Sequence, residues 1–125
     1  MSDSKELSHI DPATKAKVLL EALPYVQKFR DSLFIVKYGG SFLDENNLEM
    51  QRRVATDIVF LSSVGIRVAL VHGGGKAITR ALSQSGIETR FVNGLRYTDE
   101  ASIKVVEQTL NGEINDQICK TIEDA

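Results

Sequence analysis

The sequence has 125 residues, 42% of them hydrophobic, which is enough for one ordinary domain with a real core. Fifteen basic and seventeen acidic residues give a formal net charge of −2, without a basic block of the kind that binds nucleic acid. No apolar stretch has the length of a membrane span, and the polar N-terminus does not resemble a signal peptide. We therefore expect a cytoplasmic protein with no nucleic-acid or membrane partner, and no metal site around its single cysteine, Cys119.

An amphipathic helix is predicted near the N-terminus. Residues 1–10 are polar and expected to be mobile, and Asp11-Pro12 is typical of a helix start. Apolar residues at spacings of three and four then form one stripe, which Pro24 interrupts, so the pattern predicts a kinked helix or two short ones. The stripe could pack on the core or contact another subunit, and both interpretations stay open. We assign residues 1–30 to this segment and residues 31–125 to one lobe.

Strands alternate with helices after this segment. Phe34-Ile35-Val36 is typical of a strand covered on both faces, and the run from Ile66 to Val71 predicts a second strand. Helical spacing predicts helices over residues 48–61 and 76–85, each followed by a glycine that suits a C-terminal stop. The alternation indicates an α/β fold with a parallel sheet and right-handed crossovers.

The last third of the chain predicts one short extended piece and a long helix. Thr89-Arg90-Phe91-Val92 is the extended piece, and Asn93-Gly94 is a strong turn signal. The final helix is predicted to begin near Thr98 or Asp99, where acidic residues complement the helix dipole, and to run almost to Ala125. So small a sheet leaves an unpaired edge, and we expect further chain or another subunit to continue it.

Glycine clusters follow both predicted strands, Gly39-Gly40 after the first and Gly73-Gly74-Gly75 after the second. Ligands of open α/β sheets bind at the carboxyl ends of the strands. The clusters therefore predict rows of backbone N–H donors for phosphate or carboxylate oxygens. They match neither the G-x-x-x-x-G-K-[ST] phosphate loop nor the G-x-G-x-x-G dinucleotide motif.

Basic side chains near the carboxyl ends of the strands are further candidates for binding an anion. Lys37 lies in an apolar strand, where a buried ammonium without a function is costly, so it is interpreted as a phosphate-directed group. A structural lysine that reaches solvent is the alternative. Arg96 is a candidate for a bidentate clamp on a carboxylate. His72 is interpreted as fixing the loop rather than acting as a general base, and Lys76 as an aid to phosphate binding.

Three motifs, in this order, resemble the amino acid kinase family, and within it the N-terminal half of the acetylglutamate kinases. They are Val36-Lys37-Tyr38-Gly39-Gly40-Ser41, Leu70-Val71-His72-Gly73-Gly74-Gly75 and Asn93-Gly94-Leu95-Arg96-Tyr97-Thr98-Asp99. The third motif is the specific one, since the glycine motifs are shared with carbamate, aspartate and uridylate kinases. The resemblance covers about residues 15–125 and implies the N-terminal lobe of a three-layer αβα sandwich with a mainly parallel sheet.

The resemblance implies transfer of the ATP γ-phosphoryl group, with Mg²⁺ accompanying ATP as co-substrate, to the side-chain carboxylate of N-acetyl-L-glutamate, in arginine biosynthesis. Lys37 would be the catalytic residue that stabilises the transferring phosphoryl group. The implied phosphate-binding residues are Gly39, Gly40 and Gly74. The implied substrate-binding residues are Gly74, Gly75 and Arg96.

The N-terminal helix resembles an extra helix of the arginine-inhibited, hexameric acetylglutamate kinases. This implies L-arginine as an effector, with Tyr25 at its site. It also implies a homo-oligomer, a dimer or a hexamer, held together through N-terminal helices.

The sequence departs from the family pattern at Ser41-Phe42 and at Lys76-Ala77-Ile78-Thr79. Most of the family's ATP site belongs to a C-terminal half that these residues do not match, so we expect a fragment or truncated product with little or no kinase activity alone. One alternative is a non-catalytic regulatory lobe, as in some acetylglutamate synthases, that senses arginine or acetylglutamate. Another is an interaction module that assembles through the N-terminal helix. Retention of Lys37 favours the kinase.

Overall fold

The computed structural model describes residues 9–39 and 47–125, so Gly40 lies outside the described residues. The elements, in chain order, are α1 (Pro12–Phe29), β1 (Leu33–Tyr38), α2 (Leu48–Ser63), β2 (Arg67–His72), α3 (Gly75–Gln84), β3 (Arg90–Val92), β4 (Leu95–Tyr97), α4 (Glu100–Glu107), a π-helical segment (Gln108–Ile114) and α5 (Asn115–Glu123). None of the described helices is long and apolar enough to cross a membrane.

A parallel sheet forms the centre of the fold. β1 and β2 pair in register from Leu33 opposite Arg67 to Tyr38 opposite His72. Helix α2 supplies the connection that a parallel pair requires. Gly65 ends that connection in the left-handed region, at φ 89°, where glycine is favoured. The predicted α/β fold with a parallel sheet is confirmed.

A β-hairpin follows α3. β3 and β4 pair antiparallel, and their two-residue turn has positive φ at both Asn93 (49°) and Gly94 (80°). This is the backbone of a type I′ turn, for which Asn-Gly is the preferred sequence. The predicted turn is confirmed, whereas β4 was not foreseen, because three residues are too few to show an alternating pattern. The pairing places Arg96 opposite Phe91.

The described helices pack against one face of the sheet. Tyr38, Ile114 and Ile118 are buried together, and partly buried side chains surround them: Val54, Leu70, Ala77, Leu110 and Ile122. The other face of β1 is open, with Leu33 57% and Ile35 71% exposed. The expectation that β1 is covered on both faces is therefore wrong for the described part of the chain, because its helices cover only the face of Tyr38.

Helix α1 is a single helix that continues through Pro24, rather than two short ones. Its N-cap, Asp11, accepts hydrogen bonds from the backbone of Ala13 (2.9 Å) and Thr14 (3.1 Å). None of its residues is buried, and Leu19 is 72% exposed. Most of the apolar stripe is therefore exposed, and at its C-terminal end Phe29 contacts Phe34 of β1 edge-to-face, with 5.4 Å between the ring centres.

The predicted C-terminal helix begins where the sequence placed it. Asp99 caps α4, and Ser102 completes a capping box: the Asp99 N–H donates to Ser102 Oγ (2.8 Å) and the Ser102 N–H donates to Asp99 Oδ1 (2.9 Å). The π-helical segment that widens this helix at Gln108–Ile114 was not predicted. A wider turn changes the hydrogen-bond spacing without breaking the apolar pattern, so periodicity does not reveal it.

We expect the Asp99 cap to make the stability of the fold depend on pH. Hydrogen bonds from the side chain and then the backbone of Ser102 lower the pKa of Asp99 from its ordinary value of 3.8. A lowered folded-state pKa stabilises the fold above the unfolded value, and this contribution is lost as pH falls through the lowered pKa. Asp99→Ala should lower the melting temperature by a few degrees at pH 7 and by less at pH 2.5. A difference that stayed constant across thermal melts from pH 7 to 2.5 would contradict the ionised cap.

Candidate functional site at the strand ends

The glycines that follow β1 and β2 lie side by side where the two strands end. The Gly73 N–H donates to the Tyr38 carbonyl over 3.1 Å, extending the parallel pairing past the ends of the strands. A Cβ placed on Gly39 would lie 3.7 Å from the Gly73 nitrogen. The structure therefore brings together the two glycine clusters as far as Gly39, the last residue described before position 47.

The second cluster leads directly into a helix N-terminus. Gly74 is the N-cap of α3 and provides no side-chain cap, and the first turn contains no acidic residue. The first N–H groups of a helix have no intrahelical acceptors, and the helix dipole adds positive potential there. Gly75 and Lys76 open this turn, and both are exposed. Such an N-terminus suits a phosphate or carboxylate oxygen.

The three glycines have different surroundings. A Cβ on Gly74 would overlap Ile114 Cδ1 and approach Leu110 Cδ2 to 2.9 Å. A Cβ on Gly73 or Gly75 would meet nothing within 4 Å. Packing against the π-helical segment therefore requires glycine only at Gly74. The open space beside Gly73 and Gly75 leaves their backbone accessible to a ligand.

Gly74→Ala should destabilise the chain because the added methyl group collides with Ile114 and Leu110. Overpacking of this kind costs about 1–3 kcal/mol of unfolding free energy. Gly73→Ala is the matched control, since its methyl group enters open space, and it should change stability by less than about 0.5 kcal/mol. Urea denaturation of both variants measures the difference. Equal stability of the two variants would show that the close contact at Gly74 is not rigid.

Arg96 lies beside the N-terminus of α3. Its Nη2 donates to the Gly75 carbonyl (3.1 Å) and to Thr79 Oγ1 (2.7 Å), while Nη1 donates to Thr89 Oγ1 (3.3 Å). The guanidinium carbon is 4.9 Å from the centre of the Phe91 ring, a cation–π distance. The β3–β4 hairpin thus brings the predicted carboxylate clamp to the predicted anion-binding glycines.

Lys37 is exposed, on the open face of β1 opposite Val71 in the strand pairing. The expectation of a buried ammonium is wrong, because the described helices cover the other face of this strand. The sequence argument for Lys37 now rests on its position alone, two residues before Gly39. His72 Nδ1 lies 3.2 Å from the Gly73 carbonyl, as expected of a residue that fixes the loop. Tyr25 is 66% exposed on α1, and no described contact joins it to the strand ends.

A cavity of about 230 Å³ lies beside the glycine loop and is lined by residues of the sheet, α2, α3, the π-helical segment and α5. Its lining is mostly apolar, and burial raises the pKa of Tyr38 at its wall. Gly74 and Gly75 contribute to the lining, but Lys37 and Arg96 do not. Of the basic candidates Lys76 lines this cavity, whereas Arg96 lies against Gly75 and Lys37 precedes Gly39, so the strand ends rather than the cavity are taken as the candidate site.

Sequence reasoning missed the residues that surround the Arg96 guanidinium. Thr79 lies one helical turn after Gly75, so helix periodicity alone could have placed its hydroxyl beside the first turn. Phe91 faces Arg96 only through the hairpin register. No local signal pointed to Thr89, whose contact depends on the path of the chain between α3 and β3.

Comparisons with known proteins identify the family of this chain. The amino acid kinase family matches residues 32–125. Acetylglutamate kinase of Thermoanaerobacter sp. is 47% identical over 114 residues, 91% of this chain and 38% of that protein. Acetylglutamate kinase of Trichodesmium erythraeum is 45% identical over all 125 residues, which cover 42% of it. The chain therefore spans about two fifths of the length of these curated relatives.

Solved structures show the same fold. N-acetylglutamate synthase from Neisseria gonorrhoeae, complexed with coenzyme A and N-acetyl-glutamate, superposes with a TM-score of 0.65 and 29% identity. The match covers 83% of this chain and 24% of the synthase. The family match extends over most of the chain and includes β1, β2 and the glycine clusters that follow them. This chain belongs to the amino acid kinase family.

Proposed function

We propose that this chain contributes the acetylglutamate-binding lobe of an acetylglutamate kinase, which transfers the ATP γ-phosphoryl group to the side-chain carboxylate of N-acetyl-L-glutamate. The observation that carries the proposal is the contact of Arg96 with Gly75, which puts a guanidinium beside the N-terminus of α3. The names of the relatives, each an acetylglutamate kinase, support this choice of substrate.

The charges of the acceptor indicate which groups of the chain bind it. N-acetyl-L-glutamate carries two carboxylates, and a guanidinium is suited to hold the one that does not react. The backbone N–H groups of Gly74 and Gly75 then bind the acceptor and the phosphoryl oxygens. Because a carboxylate with a pKa near 4.3 is already ionised at pH 7, the acceptor needs no general base. The contact of His72 with the Gly73 carbonyl is compatible with this chemistry.

The transfer itself needs positioning and charge stabilisation. A side-chain carboxylate oxygen attacks the γ-phosphorus, the bond from the γ-phosphorus to the β–γ bridging oxygen breaks, and ADP leaves with the electron pair. Lys37 and the glycines at Gly39, Gly40 and Gly74 would stabilise the phosphoryl oxygens. Among the described residues there is no group of three or more His, Cys, Asp or Glu that could hold a metal ion.

Trapping of the acyl phosphate tests the activity. The full-length protein, supplied with ATP, Mg²⁺ and N-acetyl-L-glutamate, should form a hydroxamate with hydroxylamine, and L-glutamate should be a much poorer acceptor. Calorimetry with N-acetyl-L-glutamate provides the binding measurement. Absence of both binding and hydroxamate would refute the proposal.

A regulatory lobe is the second candidate, and the similarity to the synthase structure, at 29% identity, is the observation behind it. Binding of N-acetyl-L-glutamate without ATP-dependent hydroxamate formation would select this alternative. Two further properties stay proposals. The exposed stripe of α1 suits contact with a second copy of the chain. An L-arginine effector is supported by the similarity to the Neisseria gonorrhoeae synthase complexed with coenzyme A and L-arginine, at 30% identity and a TM-score of 0.58, while Tyr25 at its site rests on the sequence resemblance alone.

A further inference from the structure

The Thr79 hydroxyl bridges the two groups that define the candidate site. It donates to the Gly75 carbonyl over 2.9 Å and accepts from Arg96 Nη2 over 2.7 Å. Nη2 also reaches the same Gly75 carbonyl over 3.1 Å. These three contacts close a triangle of hydrogen-bonding atoms at the first turn of α3.

The directions of these bonds follow from the donors available. A hydroxyl has one proton and two lone pairs, whereas a guanidinium only donates. With its proton directed to the Gly75 carbonyl, Thr79 presents a lone pair to Arg96. The bond from Arg96 involves a charged donor and is among the stronger hydrogen bonds in proteins. Valine has the same shape as threonine but can make neither bond.

Thr79 differs from comparable residues elsewhere in the chain. Several described hydroxyl side chains in helices donate to the carbonyl four residues earlier: Thr56, Ser63, Thr79, Thr109 and Thr121. Of these described residues, Thr79 alone also accepts a hydrogen bond from a guanidinium. An ordinary helical threonine therefore does not account for its second contact.

We propose that Thr79 is a positioning residue, which holds the Arg96 guanidinium against the N-terminus of α3 so that it meets a ligand carboxylate in one orientation. Thr89 and the Phe91 ring restrain the same guanidinium from the hairpin side. Among the described residues none accepts from Arg96 Nε, which leaves this donor for the ligand. The role in acetylglutamate binding rests on the proposed function, whereas the restraint on Arg96 does not.

The first experiment measures the restraint without any ligand. Side-chain ¹H–¹⁵N NMR of the chain should show slow rotation of the Arg96 guanidinium in the native protein and in Thr79→Ser, which keeps the hydroxyl. Thr79→Val should show faster rotation. Thr56→Val is the matched control, because Thr56 makes the same bond to a helix carbonyl without an arginine. Equal rotation rates in Thr79→Val and the native protein would overturn the proposal.

The second experiment measures binding of N-acetyl-L-glutamate by calorimetry. Thr79→Val should weaken it about 5–10-fold, less than the loss of a charge-assisted hydrogen bond to the ligand itself because Thr79 acts only through Arg96, while Thr79→Ser and Thr56→Val should stay within about twofold. In an Arg96→Ala background, Thr79→Val should have no further effect. A loss that persists in that background would overturn the proposal, because Thr79 would then act independently of Arg96.

The outcomes separate the two levels of inference. If Arg96→Ala weakens binding and Thr79→Val does not, the positioning role fails while the proposed function stands. If N-acetyl-L-glutamate does not bind at all, the proposed function fails. If Thr79→Val still speeds rotation of the Arg96 guanidinium in the NMR experiment, the restraint on Arg96 stands.

Discussion

Lys37→Met should reduce the kcat of acetylglutamate phosphorylation in the full-length protein by about 10²–10³-fold, the usual effect of removing one group that stabilises transition-state charge. Methionine keeps most of the length of the side chain and removes only the ammonium. If Lys37 acts on the transferring phosphoryl group, the KM for N-acetyl-L-glutamate should change less than about threefold. Steady-state kinetics at saturating ATP measure both constants.

Lys104→Met is the control for this experiment, since Lys104 is an exposed lysine on α4. It should leave kcat unchanged. A kcat for Lys37→Met within threefold of the native value would remove Lys37 from the catalytic residues. The exposure of Lys37 gives this experiment a further advantage, because loss of an exposed ammonium should not unfold the protein.

Arg96→Ala should weaken binding of N-acetyl-L-glutamate about 10–100-fold. Loss of a hydrogen bond from a charged donor costs about 1.5–3 kcal/mol, and this substitution removes the whole guanidinium. Most of the effect should appear in Kd, measured by calorimetry, and in the KM for acetylglutamate, with a smaller change in the KM for ATP.

Arg90→Ala is the matched control, because Arg90 carries the same charge on the same hairpin. Its nearest ion pair, with Glu88 at 3.9 Å, is well exposed and contributes little. Arg90→Ala should therefore bind N-acetyl-L-glutamate with native affinity. An Arg96→Ala variant that also bound normally would show that the clamp is elsewhere, and the assignment of the acceptor site would be wrong.

The two substitutions together separate the two sides of the site. Loss of kcat in Lys37→Met and loss of affinity in Arg96→Ala would support separate phosphoryl and acceptor roles. Loss of affinity in both variants would instead place Lys37 on the acceptor.

Much of the fold could be read from local patterns. The strand, helix, strand alternation, the glycine that ends the first crossover and the Asn93-Gly94 turn all depend on neighbouring residues, and the structure contains each of them. The cap at Asp99 is equally local, since all its bonds lie within three residues. Patterns of this kind predict elements well because short-range sterics and hydrogen bonds decide them.

Burial was predicted less well. The apolar run of β1 is compatible with cover on two faces or on one, and the number of faces depends on where the helices pack. The described helices lie on the face of Tyr38, which leaves Lys37 and Ile35 exposed. The argument from a costly buried lysine failed for this reason.

The sequence predicts the chemical character of the candidate site: glycines after two parallel strands indicate anion binding, and an arginine after a tight turn indicates a carboxylate clamp. The contacts that organise it depend on tertiary structure. Arg96 meets Gly75 across 21 residues of chain because the hairpin returns to the start of α3. A side chain at Gly74 would collide with Ile114 and Leu110, which lie far along the chain. Contacts between distant segments depend on how whole elements pack, and residue spacing carries no measure of that packing.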